Sequence, residues 1–245
     1  MMKQKLLLIG GSTAIGKSKF ALELSEKLKM EIISADSVQV YKELNIGTSK
    51  PSKEEKALCP HHLIDIVDIN HKFNAFDFVT YAKKCIDEIE ARGNLPVIVG
   101  GTGLYIEALL FAYSFKKQKE NKNSVYDYKL YLLNKDRERL YNAINARVDL
   151  MIKNGLIEEV KMLQDKGLCK DNQCYQAIGY KEILSYLNNE TDLNTAIEKI
   201  KQSTRNYAKR QITWFKHMDG IWFDVDTEWE QTKNQIFEEY SEYKK

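Results

Sequence analysis

Gly11-Ser12-Thr13-Ala14-Ile15-Gly16-Lys17-Ser18 is a complete G-x-x-x-x-G-K-S. The apolar run 5–9 before it reads as a short buried strand. The stretch 17–29 after it reads as a helix, with Phe20, Ala21, Leu24 and Leu28 on one face. A glycine-rich turn between a strand and a helix lets backbone N–H groups curl around phosphate oxygens, and the helix N-terminus adds partial positive charge. Lys17 is placed to reach the terminal phosphates, and Ser18 to help hold Mg²⁺. The motif says polyphosphate, but not which one.

Working outward, strand and helix patterns alternate. Residues 31–34, 63–67 and 95–99 read as further strands, and 74–92 as a helix with Phe76, Val79, Ile86 and Ile89 inward, stopped by Gly93. The continuous apolar run 95–99 is of parallel-strand type. Residues 128–133 and 221–224 complete the strand set. Helices are expected over 136–153, 156–166, 174–187 and 191–216, with one more at the end. The expectation is an α/β fold: a P-loop NTPase-like parallel sheet with helices on both faces, plus a mainly helical C-terminal half. Three segments follow: a core over 1–115, a lysine-rich loop over 116–127, and the remainder over 128–245.

Two further segments sit where chemistry is expected. Ser34-Ala35-Asp36-Ser37-Val38-Gln39-Val40-Tyr41 lies where a strand ends, and carboxyl ends of parallel strands border the ligand crevice. Asp36 there can be a metal ligand, a general base or a helix cap. Gly100-Gly101-Thr102-Gly103-Leu104-Tyr105 repeats the strand–glycine–helix arrangement, either as a tight turn or as a ligand contact. No Walker-type aspartate ends the 95–99 strand, which counts against an ordinary ATPase.

Composition excludes other classes. The 245 residues are 43% hydrophobic with three prolines, enough to bury a core, so the chain is not disordered. No apolar run reaches the length a bilayer span needs, so no membrane-spanning role is expected. Cys59, Cys85, Cys169 and Cys174 form no zinc-like pairing and are expected as reduced thiols in a cytosolic protein. The net charge of +2 hides an uneven distribution: residues 1–115 are neutral, 116–217 carry +7, and 218–245 carry −5. The middle segment is a candidate for meeting a polyanion or, equally, a solvated helical face. On the 191–216 helix, Lys201, Arg205, Lys209 and Lys216 fall within an arc of roughly 80°. Tyr207, Trp214 and Phe215 fall elsewhere, on a side expected to be core.

Seven segments in order resemble the tRNA dimethylallyltransferases, also called tRNA isopentenyltransferases. They are GGSTAIGKS (residues 10–18), SADSVQVY (34–41), NIGTSKP (45–51), PHHLID (60–65), LPVIVGGTGLY (95–105), QAIGYKE (176–182) and TRNYAKRQITWF (204–215). The resemblance runs from residue 5 to about 225 and is far more specific than any one segment. It implies transfer of the dimethylallyl group from dimethylallyl diphosphate to the exocyclic N6 of the adenine beside the anticodon, with Mg²⁺ as cofactor; a cytoplasmic monomer is the accompanying expectation, although the sequence does not decide the oligomeric state. On it, Gly11, Ser12, Thr13, Ala14, Ile15, Gly16, Lys17 and Ser18 match the donor-binding stretch. Asp36 matches the general base. Ser37, Val38, Gln39 and Thr102 match tRNA contacts, and Asp36, Lys17 and Thr102 make the catalytic set. Lys201, Arg205 and Lys209 become a candidate track for the tRNA backbone.

One departure stands out. The family's helical insertion, which grips the anticodon stem-loop, has no counterpart here; the interval holds only the loop with Lys116, Lys117, Lys119 and Lys122. Three readings follow. One is a compact tRNA enzyme using these lysines and the basic helix. Another is a prenyltransferase acting on a free adenine nucleotide (AMP, ADP or ATP), and the third is a paralogue that binds without turnover. Retention of Lys17, Ser18, Asp36 and Thr102 argues against the last. From a different class, the phosphate loop alone also fits a small-molecule kinase, which would leave the 34–41 and 100–105 segments without a purpose.

Overall fold

The computed structural model describes residues 3–111 and 124–245. Lys116, Lys117, Lys119 and Lys122 lie outside the described residues. Strand β1 (Lys5–Gly11) leads through the glycine loop into α1 (Lys17–Ser25), then β2 (Met30–Ala35), the short α2 (Lys53–Leu58) and β3 (His61–His62). Next come α3 (Ala75–Ala91), β4 (Leu95–Gly100), α4 (Gly103–Leu110) and β5 (Asp127–Asn134). The later part holds α5 (Arg137–Lys153), α6 (Leu156–Asp165), α7 (Tyr180–Leu187), α8 (Leu193–Phe215), β6 (Ile221–Asp224) and α9 (Trp229–Glu239).

The six strands form one parallel sheet in the order β3-β2-β4-β1-β5-β6. Alternation along each strand explains why both faces are apolar. Leu6, Leu8, Ile33, Ile98 and Leu132 pack in a core on one face with α3, α4, α6 and α7. Leu7, Ile9, Ile32, Val97 and Leu133 pack on the other with α1, α5 and α9. Helix α8 serves both, contributing Phe215 to the first core and Ala208 to the second. The expected α/β architecture with a helical second half is the one observed.

Three local expectations fail, each for a physical reason. Residues 63–67 are not a strand: Leu63 and Asp65 have φ of 60° and 59°, which breaks extended pairing, and the edge strand is His61–His62 instead. On α3 the inward residues are Phe78, Ala82, Ile86 and Ile89, spaced for one helical face, whereas Phe76 is 73% exposed. The expected 174–187 helix is split. A 3₁₀ turn over Gln173–Gln176 precedes Gly179, whose φ of 100° lets the chain change direction before α7. All four cysteines are free thiols, Cys59 and Cys174 buried. Among the described residues no helix is long and apolar enough to cross a membrane.

Candidate active site

In the sheet order β1 lies between β4 and β5, so the carboxyl ends of β1, β2 and β4 open onto one crevice. Three loops meet there. The loop from β1 to α1 needs Gly16 in the left-handed region (φ 107°) to turn its amides inward. Lys17 Nζ folds back across this loop and donates to the carbonyls of Gly11 at 3.1 Å and Ser12 at 2.7 Å. Burial pushes the Lys17 ammonium down to about 7, the Arg147 guanidinium pushes the same way, and Asp36 opposes both. Arg147, on α5, is itself held below its usual range by burial, with Asp36 again opposing.

Asp36 follows the last residue of β2. Its Oδ1 accepts the backbone N–H of Val38 at 2.8 Å and of Gln39 at 3.2 Å, which closes a local turn; no helix starts here, so the helix-cap alternative is not met. Oδ2 takes no hydrogen bond from the described residues and is left for other work. The Thr102 hydroxyl, just past β4, accepts the Ser37 N–H at 3.2 Å and thereby ties the second loop to the third. Gln39 spans the crevice wall. Its Nε2 donates to the Thr48 carbonyl at 3.1 Å, and its Oε1 accepts from Ser34 Oγ at 2.9 Å.

Two cavities adjoin at Asp36. One, of about 480 Å³, is lined by Thr13–Ser18, Asp36, Gln39, Lys50 and Arg147 and is mostly polar. The other, of about 380 Å³, is lined by Ser37, Val38, Tyr41, Met151, Ile178 and Tyr207 among others and is mostly apolar. Thr13, Asp36, Thr48, Arg147 and Tyr207 belong to both. Burial beside Asp36 pushes the Tyr207 phenol up to about 12, so it stays protonated at the cavity junction. A larger cleft of about 840 Å³ lies between α4, β5 and α8. It touches neither the glycine loop nor Asp36 and shares only Arg210 with the apolar cavity, so size does not mark the chemistry here.

The expected site residues divide accordingly. Thr13, Ala14, Ile15, Gly16, Lys17 and Ser18 line the polar cavity, while Gly11 and Ser12 lie beneath it and supply carbonyls to Lys17. Ser37 and Val38 face the apolar cavity; Gln39 faces the polar one and braces the wall. On α8, Lys201 pairs with Asp149 at 2.8 Å and Glu198 at 3.2 Å, and Arg205 donates to Asn145 at 2.7 Å. Lys209 and Arg210 line the 840 Å³ cleft beside Trp214, which is 40% exposed rather than core.

Arg147, Tyr207, Thr48 and Gln211 are site residues that sequence reasoning missed. Arg147 did leave a signal. Leu140, Ile144 and Val148 form the buried stripe of α5, and helical spacing puts Arg147 on that same face. A charge on the buried side of an amphipathic helix is expected to face a polar cavity or a partner.

This geometry defines a P-loop α/β protein in which a polar cavity at the glycine loop and an apolar cavity share one carboxylate. Within that class the chain belongs to the IPP transferase family, whose model matches residues 39–122 and 112–218. A tRNA dimethylallyltransferase of Exiguobacterium sibiricum is 40% identical over 92% of this chain and 91% of its own length. One of Caldanaerobacter subterraneus is 39% identical over 97% and 98%. Among solved structures, the tRNA delta(2)-isopentenylpyrophosphate transferase of Staphylococcus epidermidis superposes with a TM-score of 0.89 at 32% identity, covering 98% of this chain and 99% of that one. A eukaryotic dimethylallyltransferase acting on tRNA superposes at 0.85 with 26% identity, covering 97% and 79%. The alignment with the Exiguobacterium relative runs to 286 positions, more than the 245 residues of this chain. That relative therefore carries stretches absent here, and the two family matches meet over residues 112–122, where the lysine-rich interval lies.

Proposed function

We propose that this chain transfers a dimethylallyl group from dimethylallyl diphosphate to the exocyclic N6 of the adenine beside the anticodon in tRNA. The observation that carries this reading is the position of Asp36, which lines both the phosphate cradle and the apolar cavity. The diphosphate lies in the polar cavity against the loop amides, Lys17 and Arg147, and the prenyl group points past Asp36. The target adenine is turned out of its stack into the apolar cavity, which a flexible anticodon loop permits more readily than a duplex. The N6 lone pair forms a bond to the allylic carbon as the carbon–oxygen bond breaks and its electron pair leaves on the diphosphate. Asp36 takes the N6 proton as attack proceeds, because a neutral exocyclic amine is a weak nucleophile. Negative charge grows on the departing oxygens, in the cavity that Lys17 and Arg147 line.

The residues fit a Mg²⁺ brought with the diphosphate. Among the described residues no group of three His, Cys, Asp or Glu side chains could cage an ion, whereas the Ser18 hydroxyl lines the phosphate cavity. Mg²⁺ held by Ser18 and the diphosphate would neutralise charge on the leaving group. A cytoplasmic enzyme working as a monomer is part of the same proposal. Lys209 and Arg210, whose cleft adjoins the apolar cavity, are the cations of α8 best placed for the tRNA backbone; Lys201 and Arg205 lie further along the same helix.

Labelled dimethylallyl diphosphate, offered with bulk tRNA or with AMP, tests the reading. Label is expected in tRNA. Label in AMP alone, or in neither acceptor, would overturn it.

A further inference from the structure

Glu159 on α6 is a buried carboxylate, and no Lys or Arg pairs with it among the described residues. Its charge is met by three successive backbone N–H groups of another segment: Asn45 at 3.0 Å and Ile46 at 2.8 Å on Oε2, and Gly47 at 3.3 Å on Oε1. The Tyr180 hydroxyl of α7 donates to Oε1 at 2.7 Å. The fit requires glycine at 47, since a Cβ there would lie 2.5 Å from the Tyr180 ring. Carboxylate–amide bonds of this kind are charge-assisted and strong where water is excluded.

The residue after this triplet is Thr48, which lines both cavities. Its carbonyl accepts from Gln39, and the Gln39 N–H in turn donates to Asp36 Oδ1. One continuous chain of contacts thus leads from Glu159 through residues 45–48 and Gln39 to the carboxylate between the cavities. It also crosses from the helical half of the molecule to the sheet.

We infer that Glu159 is a positioning residue: it clamps residues 45–47 so that Thr48 and Gln39 hold the wall shared by the two cavities and aim Asp36 at the acceptor. The inference rests on the prenyl-transfer reading above, and it adds a residue that never touches substrate. The donor keeps its glycine loop, Lys17 and Arg147 when the clamp is lost, so the effect falls on kcat rather than on donor affinity. A misplacement of about 1 Å is enough to cost roughly a hundredfold in rate.

The test compares Glu159→Ala, Glu159→Gln, Tyr180→Phe and the exposed neighbour control Glu158→Ala. Turnover is counted per donor-binding site, with amide hydrogen exchange measured over residues 45–48. Glu159→Ala should lose roughly a hundredfold in kcat per donor site and lose protection at Asn45, Ile46 and Gly47. Glu159→Gln, whose amide oxygen can still accept from Asn45 and Ile46, should recover most of both. Tyr180→Phe should fall between these, and Glu158→Ala should match the parent. Wild-type kcat per donor site in Glu159→Ala, or unchanged protection, would overturn the inference. Parent enzyme that prenylates no tRNA would instead overturn the functional reading, while the exchange measurement would still decide the clamp.

Discussion

Gln211, buried on α8, accepts the Thr13 N–H on its Oε1 at 2.8 Å and donates from Nε2 to the Gly101 carbonyl at 2.9 Å. A single side chain near the end of the longest helix thus ties the glycine loop after β1 to the turn after β4. Both groups it serves are backbone atoms, so the loop's curvature depends on a residue nearly 200 positions away.

Replacing Gln211 by Ala should leave those two backbone groups unsatisfied, at a cost of about 1–3 kcal/mol in folding stability. Affinity for dimethylallyl diphosphate should weaken as well, because Thr13 is freed to move. Denaturant unfolding and donor titration read the two effects; a stability loss with donor affinity intact would show that the loop holds its curve without Gln211.

Asp36→Asn retains an oxygen that can accept the Val38 and Gln39 N–H groups but no longer accepts the N6 proton. Donor affinity should persist while kcat falls by about 10²–10⁴-fold, the usual contribution of a positioned general base. Single-turnover kinetics with saturating donor are the measurement. Turnover near that of the parent would remove Asp36 from the proton-transfer step.

Lys17 is pushed down to about 7, first by burial and then by Arg147, so its positive charge is lost as pH rises through neutrality. An anionic diphosphate favours the charged form. Donor affinity should therefore fall above pH 7, approaching tenfold per pH unit, and binding there should take up a proton. Calorimetry in buffers of different ionisation enthalpy detects that proton. The donor's own ionisation acts in the opposite direction, so flat affinity and no proton uptake from pH 7 to 9 would contradict the shift.

Far from the site, Glu31 at the start of β2 receives Arg92 through two bonds of 2.8 Å, Asn94 at 2.8 Å and His62 at 2.7 Å. Burial alone would raise its carboxyl, but these partners outweigh burial and hold it at about 2, against an ordinary 4.5. A depressed carboxylate stabilises the fold above its unfolded value and loses that contribution as pH falls from 4.5 toward 2. The loss should be on the order of 2–3 kcal/mol. Glu31→Gln should flatten this part of the stability profile, as chemical denaturation at several pH values would show.

The sheet and the phosphate loop were legible because their signals are local. A buried parallel strand is a continuous apolar run, and the loop's glycines and Lys17 are adjacent in the chain. The placement of Asp36 and Thr102 was legible too, since each follows a strand and the carboxyl ends of parallel strands converge. The errors arose where periodicity is ambiguous. Phe76 and Phe78 compete for the inward face of α3, and positive φ at Leu63, a residue that rarely adopts it, leaves no signature in the sequence.

By itself, then, the sequence determined an α/β core with a glycine loop beside a carboxylate, and the ordered segments that mark its family. Only the tertiary structure decided how that carboxylate is flanked and aimed. Arg147 beside Lys17, Gln211 on Thr13 and Glu159 under residues 45–47 join elements more than a hundred residues apart. Such contacts arise from the packing of helices α5, α6 and α8 against the loops of the sheet. No spacing along the chain encodes which backbone amide a distant side chain will meet.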